Sequence, residues 1–190
     1  MKIIYADHAA TTKIKPEVLN EMIPYLTDKY GNPSSAYELG IENKKAIEKA
    51  RIQVANAIFA KESDEIYFTS GGSESDNLAI KGIARARKNI GKHIITTRIE
   101  HKAVLNSCKE LEEEGFDITY LDVDLNGILK ISELEKAIRE DTILISVMFA
   151  NNEIGTIQPI SEIGKISKKH NIPFHADAVQ AVRKPKNKCK

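Results

Sequence analysis

Beyond residue 64 the chain alternates short strand-like runs, near 65–69, 93–97, 117–121, 142–149 and 172–176, with amphipathic stretches long enough for helices. Parallel strands need crossovers of a dozen or more residues, so this spacing predicts an α/β fold built on a parallel sheet with right-handed connections. Ligands in open parallel sheets gather beyond the carboxyl ends of the strands, which makes the residues just after each run the ones to inspect.

Those residues are polar. Ser70-Gly71-Gly72-Ser73-Glu74-Ser75-Asp76-Asn77 follows the first run, Arg98-Ile99-Glu100-His101 the second, Asn151-Asn152-Glu153 the fourth and His175-Ala176-Asp177-Ala178-Val179-Gln180 the fifth. The first of these has the outline of a phosphate cradle. Two glycines let backbone approach an anion, and the helix-like run from Leu78 to Lys88 would place free N–H groups and a positive dipole end beside it. A tight connection with a serine cap has the same letters.

Ahead of the alternating region, Pro16 fits the first position of a helix whose apolar face is Val18, Leu19, Met22, Ile23 and Leu26, ending in the loop Gly31-Asn32-Pro33-Ser34-Ser35. Ile47, Ala50, Val54 and Ile58 mark a second helix. Further along, Ser132-Glu133-Leu134-Glu135 reads as a capping box, Gly115 closes the helix containing Leu105 and Leu111, and Asp124-Leu125-Asn126-Gly127 supplies a turn. Internal repeats are absent.

Composition narrows the function. The formal charge of the 190 residues is +1, yet five of the last eight residues are Lys or Arg, so residues 1–182 carry more acids than bases. That distribution gives no support to nucleic-acid binding. Cys108 and Cys189 match neither a metal spacing nor a paired framework, which predicts a reducing compartment and no metal site. No run is long enough to span a bilayer and the apolar N-terminal stretch is too short for a signal sequence, so a cytoplasmic location is expected.

An anion cradle, an imidazole, carboxamides and a carboxylate at one sheet edge would suit pyridoxal 5′-phosphate, whose phosphate, ring nitrogen and phenolic oxygen need a helix N-terminus, an anionic partner and amide donors respectively. Asp177 could hold the ring nitrogen, Asn152 and Gln180 could reach the phenolic oxygen, and His101 could stack on the ring and move protons. Each has a plainer reading. His101 could be a helix cap, Asp177 a cap for the next turn, and Asn151 and Asn152 turn residues.

Taken in order, Asp7-His8-Ala9-Ala10-Thr11-Thr12, Gly31-Asn32-Pro33-Ser34-Ser35, the run from Ser70 to Asn77, Glu100-His101-Lys102-Ala103-Val104, Asn151-Asn152-Glu153-Ile154-Gly155 and the segment His175 to Gln180 resemble the cysteine desulfurases that supply sulfur for iron–sulfur clusters. These are class V aminotransferase-like enzymes, and the Glu-His-Lys-Ala-Val and Asn-Asn-Glu-Ile-Gly segments are similar to those of the nitrogen-fixation and housekeeping group. The resemblance covers residues 3–182. It implies a pyridoxal-phosphate-dependent, aminotransferase-like fold (fold type I), of which residues 1–182 form the N-terminal part of the large domain with an arm at 1–15. It implies cofactor contacts at Gly72, Ser73, Asn152, Asp177 and Gln180, a catalytic His101, L-cysteine as substrate, a sulfur-acceptor or scaffold protein as partner, and a homodimer.

The basic segment 183–190 departs from the family pattern. Family members carry a Ser-Gly-His-Lys-like segment about two dozen residues beyond the aspartate, whose lysine forms the Schiff base, and later a loop with the persulfide cysteine. Neither has a counterpart here, so the expectation is a truncated large domain, inactive alone. Cys108 is no substitute, because it falls on the apolar side of its helix. The rival expectation is a non-catalytic relic, or a module that binds cofactor or dimerises.

Overall fold

The computed structural model describes residues 3–182, which fall into two compact units, Met1–Phe68 and Thr69–Lys190. The first unit is helical. Pro16 opens α1 (Pro16–Leu26) at its first position, where a missing N–H costs nothing, and α2 runs over Glu38–Ile58. Asn43 of α2 donates from Nδ2 to the carbonyls of Lys29 (2.8 Å) and Gly31 (2.5 Å), tying the helix to the loop before it. Gly40 is required in that contact, since a Cβ there would lie 2.6 Å from the carbonyls of both Asn32 and Ser35.

The second unit is a sheet with helices on both faces. α3 (Gly72–Arg87) leads to β1 (His93–Thr97), α4 (Lys102–Glu113), β2 (Asp117–Leu121), α5 (Ile131–Ala137), β3 (Thr142–Ser146), α6 (Ile160–Lys169) and β4 (Phe174–His175). These four strands pair in parallel, in the order β2-β1-β3-β4. β1 and β3 lie inside the sheet and are buried along their whole length, as strands covered on both faces are.

Strand alternation splits the core in two. Ile94 and Leu144 pack with Ile80 and Ala84 of α3 and with Val104, Cys108 and Leu111 of α4. Ile95 and Ile145 face the other way, onto Leu134 of α5 and Ile163 and Ile166 of α6. At the amino edge His93 is fully buried, with Nδ1 2.7 Å from the Thr142 hydroxyl and Nε2 2.8 Å from that of Thr119, so one ring joins three strands.

Two sequence expectations need correction. Residues 66–69 form no strand: Ile66 has extended backbone, but no described segment pairs with the run, and Tyr67 and Phe68 are exposed. Extended residues become a strand only when a neighbour takes their hydrogen bonds. Nor does Ser132 cap α5, which begins one residue earlier behind Lys130 and has no side-chain cap. The glycines behave as read. Gly115 ends α4 with φ +87°, and Gly127 (φ +76°) donates to the Asp124 carbonyl at 2.9 Å. The segment 183–190 and Cys189 lie outside the described residues.

Candidate functional site

The chain winds from β1 to β2 on one side and then returns to place β3 and β4 on the other, so its direction reverses between β1 and β3. A crevice at the carboxyl ends of such a pair is where open α/β sheets hold ligands. His101 follows β1, Asn152 follows β3, and Asp177 and Gln180 follow β4. Gly72 and Ser73 open α3, whose Asp76 reaches the same edge.

Gly71 is the N-cap residue of α3, with extended φ 165° and no side-chain cap, and its carbonyl accepts the first helical bond from Ser75 N at 3.1 Å. The leading amides of the helix, those of Gly72 and Ser73, therefore have no partner within it. Glu74 turns its carboxylate back to Ser70 N, at 2.6 Å, and the bonds from Ser70 hold its pKa below the ordinary carboxylate value. A Cβ on Gly72 would meet Val179 Cγ2 at 3.0 Å, so the cradle stands against the turn that carries Asp177 and Gln180.

A second link joins the same elements. Asp76, buried in the first turns of α3, lies with Oδ1 3.5 Å from His175 Nε2, and His175 Nδ1 is 2.9 Å from the Ser146 hydroxyl. The chain Asp76, His175, Ser146 thus braces the cradle helix against β4 and β3.

Asp177 is half-buried. Its backbone carbonyl accepts from Phe149 N at 2.8 Å, and its Oδ1 accepts from Val179 N at 3.0 Å. The capping reading of Asp177 is thus borne out, and Oδ2 is left as the oxygen with which a ligand donor could pair. His101 caps α4: Ala103 N donates to Nδ1 at 3.1 Å. That bond fixes the tautomer, because Nδ1 must present its lone pair, and in the neutral ring the proton sits on the exposed Nε2. Asn151 is the turn residue, accepting at Oδ1 from Glu153 N (2.8 Å) and Ile154 N (3.0 Å), whereas Asn152 bonds the Glu153 carboxylate at 2.9 Å.

The residues present fit a phosphorylated pyridine. The leading amides of α3 and the glycine that a Cβ would crowd suit its phosphate, and a half-buried carboxylate such as that of Asp177 suits a ring nitrogen. Among the described residues no cluster of His, Cys, Asp and Glu could hold a metal ion. Cys108 is fully buried between α4 and the sheet, and burial pushes its thiol up to about 12, so it behaves as a hydrophobe.

Sequence reasoning gave no role to Glu100, Asp76 or His175. All three were visible as polar residues near strand or helix ends, but their burial depends on which strands become neighbours. Glu100 is the extreme case: burial raises its pKa to about 7 against the opposing bonds from Thr97 and Met148, with the nearby Asp177 carboxylate adding to the rise.

The chain belongs to the class V aminotransferase family, whose model matches residues 4–190. Within that class it is similar to proteins named cysteine desulfurase IscS. It is 60% identical over 181 residues to the one from Methanosarcina thermophila, covering 95% of this chain and 45% of that protein. It is 56% identical to a putative cysteine desulfurase IscS 1 from Bacillus subtilis, covering 95% of this chain and 48% of the relative. Among solved structures, a NifS-like protein superposes with a TM-score of 0.89 at 47% identity, over 92% of this chain and 48% of that one. A structure of SspA in complex with cysteine gives a TM-score of 0.90 at 46% identity, over 93% and 51%. The chain therefore spans about half the length of the relatives it matches.

Proposed function

We propose that these residues are the cofactor-binding N-terminal part of a pyridoxal-phosphate-dependent cysteine desulfurase, with residues 1–182 belonging to its large domain. The complete enzyme would convert L-cysteine to L-alanine and pass the sulfur to an acceptor protein, as a homodimer in the cytoplasm. The observation that carries the reading is the gathering of cradle, carboxylate, carboxamides and imidazole at one carboxyl edge, around the point where the sheet reverses. The neighbour solved with cysteine supports the substrate.

When bound, the cofactor supplies an electron sink for charge left at the substrate's Cα. Gly72 and Ser73 bind its phosphate with backbone amides. Asp177 keeps the proton on the pyridine nitrogen, since an anion held beside a ring nitrogen favours its charged form. Asn152 and Gln180 donate to the phenolic oxygen. His101 is the acid/base group, and the Ala103 amide at Nδ1 commits Nε2 to proton movement. Turnover needs the covalent lysine and the persulfide cysteine of the family, which the resemblance assigns to the half of the relatives that this chain does not match.

Equilibrium dialysis against pyridoxal 5′-phosphate, followed by a sulfide assay with cysteine and reductant, tests this. The 190-residue chain is expected to retain cofactor without releasing sulfide, and Asp177→Ala to weaken retention about tenfold, the loss of one charged hydrogen bond. Equal retention by Asp177→Ala would remove Asp177 from the site. Sulfide release by the chain alone would overturn the view that turnover needs the lysine and cysteine of the unmatched half.

A further inference from the structure

Glu100 stands three residues beyond β1, at the β1/β3 reversal, and is 6% exposed. Burying a carboxyl is costly unless its oxygens are satisfied, so its partners show what it does. Both of its oxygens accept from Met148 N at 3.0 Å, and Oε1 also accepts from the Thr97 hydroxyl at 2.6 Å. Met148 lies two residues past the end of β3. The next amide, that of Phe149, donates to the carbonyl of Asp177. From the other side Asn151 Nδ2 reaches back to the Ile99 carbonyl at 2.8 Å. The segment 99–101, the extension of β3 and Asp177 beyond β4 are thus stitched together, with the Glu100 side chain as the central stitch.

We propose, on the cofactor reading given above, that Glu100 is a positioning residue: it clamps the carboxyl end of β3 to the loop bearing His101, and through Phe149 fixes where Asp177 stands relative to that imidazole. Glu100 touches neither cofactor nor substrate in this role. The length of the side chain and an acceptor oxygen matter, and the charge does not. A glutamine keeps one acceptor able to serve both Met148 N and the Thr97 hydroxyl, whereas alanine leaves both donors without a partner.

The wild-type 190-residue chain, Glu100→Gln and Glu100→Ala are compared in two ways. Amide hydrogen exchange without cofactor reads the clamp, and equilibrium dialysis with pyridoxal 5′-phosphate reads its consequence. Glu100→Ala is expected to speed exchange at Met148 and Phe149 about tenfold while Ile94 and Leu144 stay unchanged, and to weaken cofactor retention about fivefold, whereas Glu100→Gln stays within about twofold of wild type in both. If circular dichroism shows that Glu100→Ala does not fold, Glu100→Asp, which keeps the carboxylate but shortens its reach, carries the same expectation. Unchanged exchange at Met148 and Phe149 in a folded alanine or aspartate variant overturns the proposal, as does a glutamine variant impaired at those amides. A wild-type chain that retains no cofactor counts against the cofactor reading, and the exchange comparison then still decides the clamp.

Discussion

His93 opens β1 and Glu100 lies three residues beyond its far end, and each prefers its neutral form because it is buried. Their effects on stability run in opposite directions with pH. For Glu100 the folded pKa, about 7, lies above the ordinary value of 4.5, so the folded state holds the proton more tightly between the two. Its contribution is present below 4.5 and is lost as pH rises through about 7, a change of about 3 kcal/mol. For His93 the folded pKa lies below 6.5, so its contribution is present above 6.5 and is lost as pH falls toward the depressed folded value. Urea unfolding of wild type and Glu100→Gln at pH 5 and pH 8 isolates the first effect. Wild type is expected to lose stability relative to the glutamine variant at the higher pH, and parallel curves would show that Glu100 ionises in the folded chain as it does in water. Cys108 offers a second check at this scale. With its thiol near 12 and no exposed surface, it is expected to resist a maleimide for hours in native buffer and to react within minutes in urea. Peptide mapping separates it from Cys189, and rapid native labelling of Cys108 would mean that the cover provided by α4 opens readily.

At the scale of elements, the parallel sheet and its helices were legible because periodicity reports burial directly. The all-apolar middle of β3 and the 3.6-residue spacing along α4 each admit few alternatives. What could not be read were facts that depend on a neighbour. Ile66 to Thr69 have strand composition but no described partner, and Ser132 has cap composition two residues past the N-cap position, which Lys130 occupies. The same limit applies to the candidate site. His101, Asn152, Asp177 and Gln180 could be put forward as candidates because they follow strand-like runs, whereas the clamp by Glu100 required β1 and β3 to be adjacent, which local sequence does not reveal. Gly91 is a further case, unremarkable in sequence and crowded in space. A Cβ there would run into the backbone of Asp141, whose carbonyl accepts from His93 N at 3.1 Å where β1 and β3 begin side by side. Backbone cannot swing away as a side chain can, so Gly91→Ala is expected to cost about 2 kcal/mol, read as a lower urea midpoint with unchanged slope. An unaltered midpoint would mean that the backbone around Asp141 yields to the added methyl without loosening the start of the sheet.

For the molecule as a whole, the distribution of apolar surface is uneven. The second unit buries two clusters against its sheet, whereas α1 buries no residue: Val18, Leu19, Met22, Ile23 and Leu26 are each more than 40% exposed. An 11-residue helix has too few turns to persist on its own propensity, and its stability normally comes from packing an apolar face. Such a stripe left uncovered binds hydrophobic dyes and promotes association. The relatives are about twice as long as this chain, so they have further residues with which to cover apolar surface. In the 190-residue chain, amides of residues 16–26 are therefore expected to exchange at least a hundredfold faster than those of β1 and β3. The chain is also expected to enhance the fluorescence of anilinonaphthalene sulfonate and to sediment faster as concentration rises. Leu19→Lys with Ile23→Lys, one helical turn apart, should reduce the dye signal by about half and weaken the concentration dependence, while leaving the unfolding transition of the sheet in place. Protection of α1 equal to that of the sheet in dilute monomer, with no dye binding, would show that the chain covers this helix by itself.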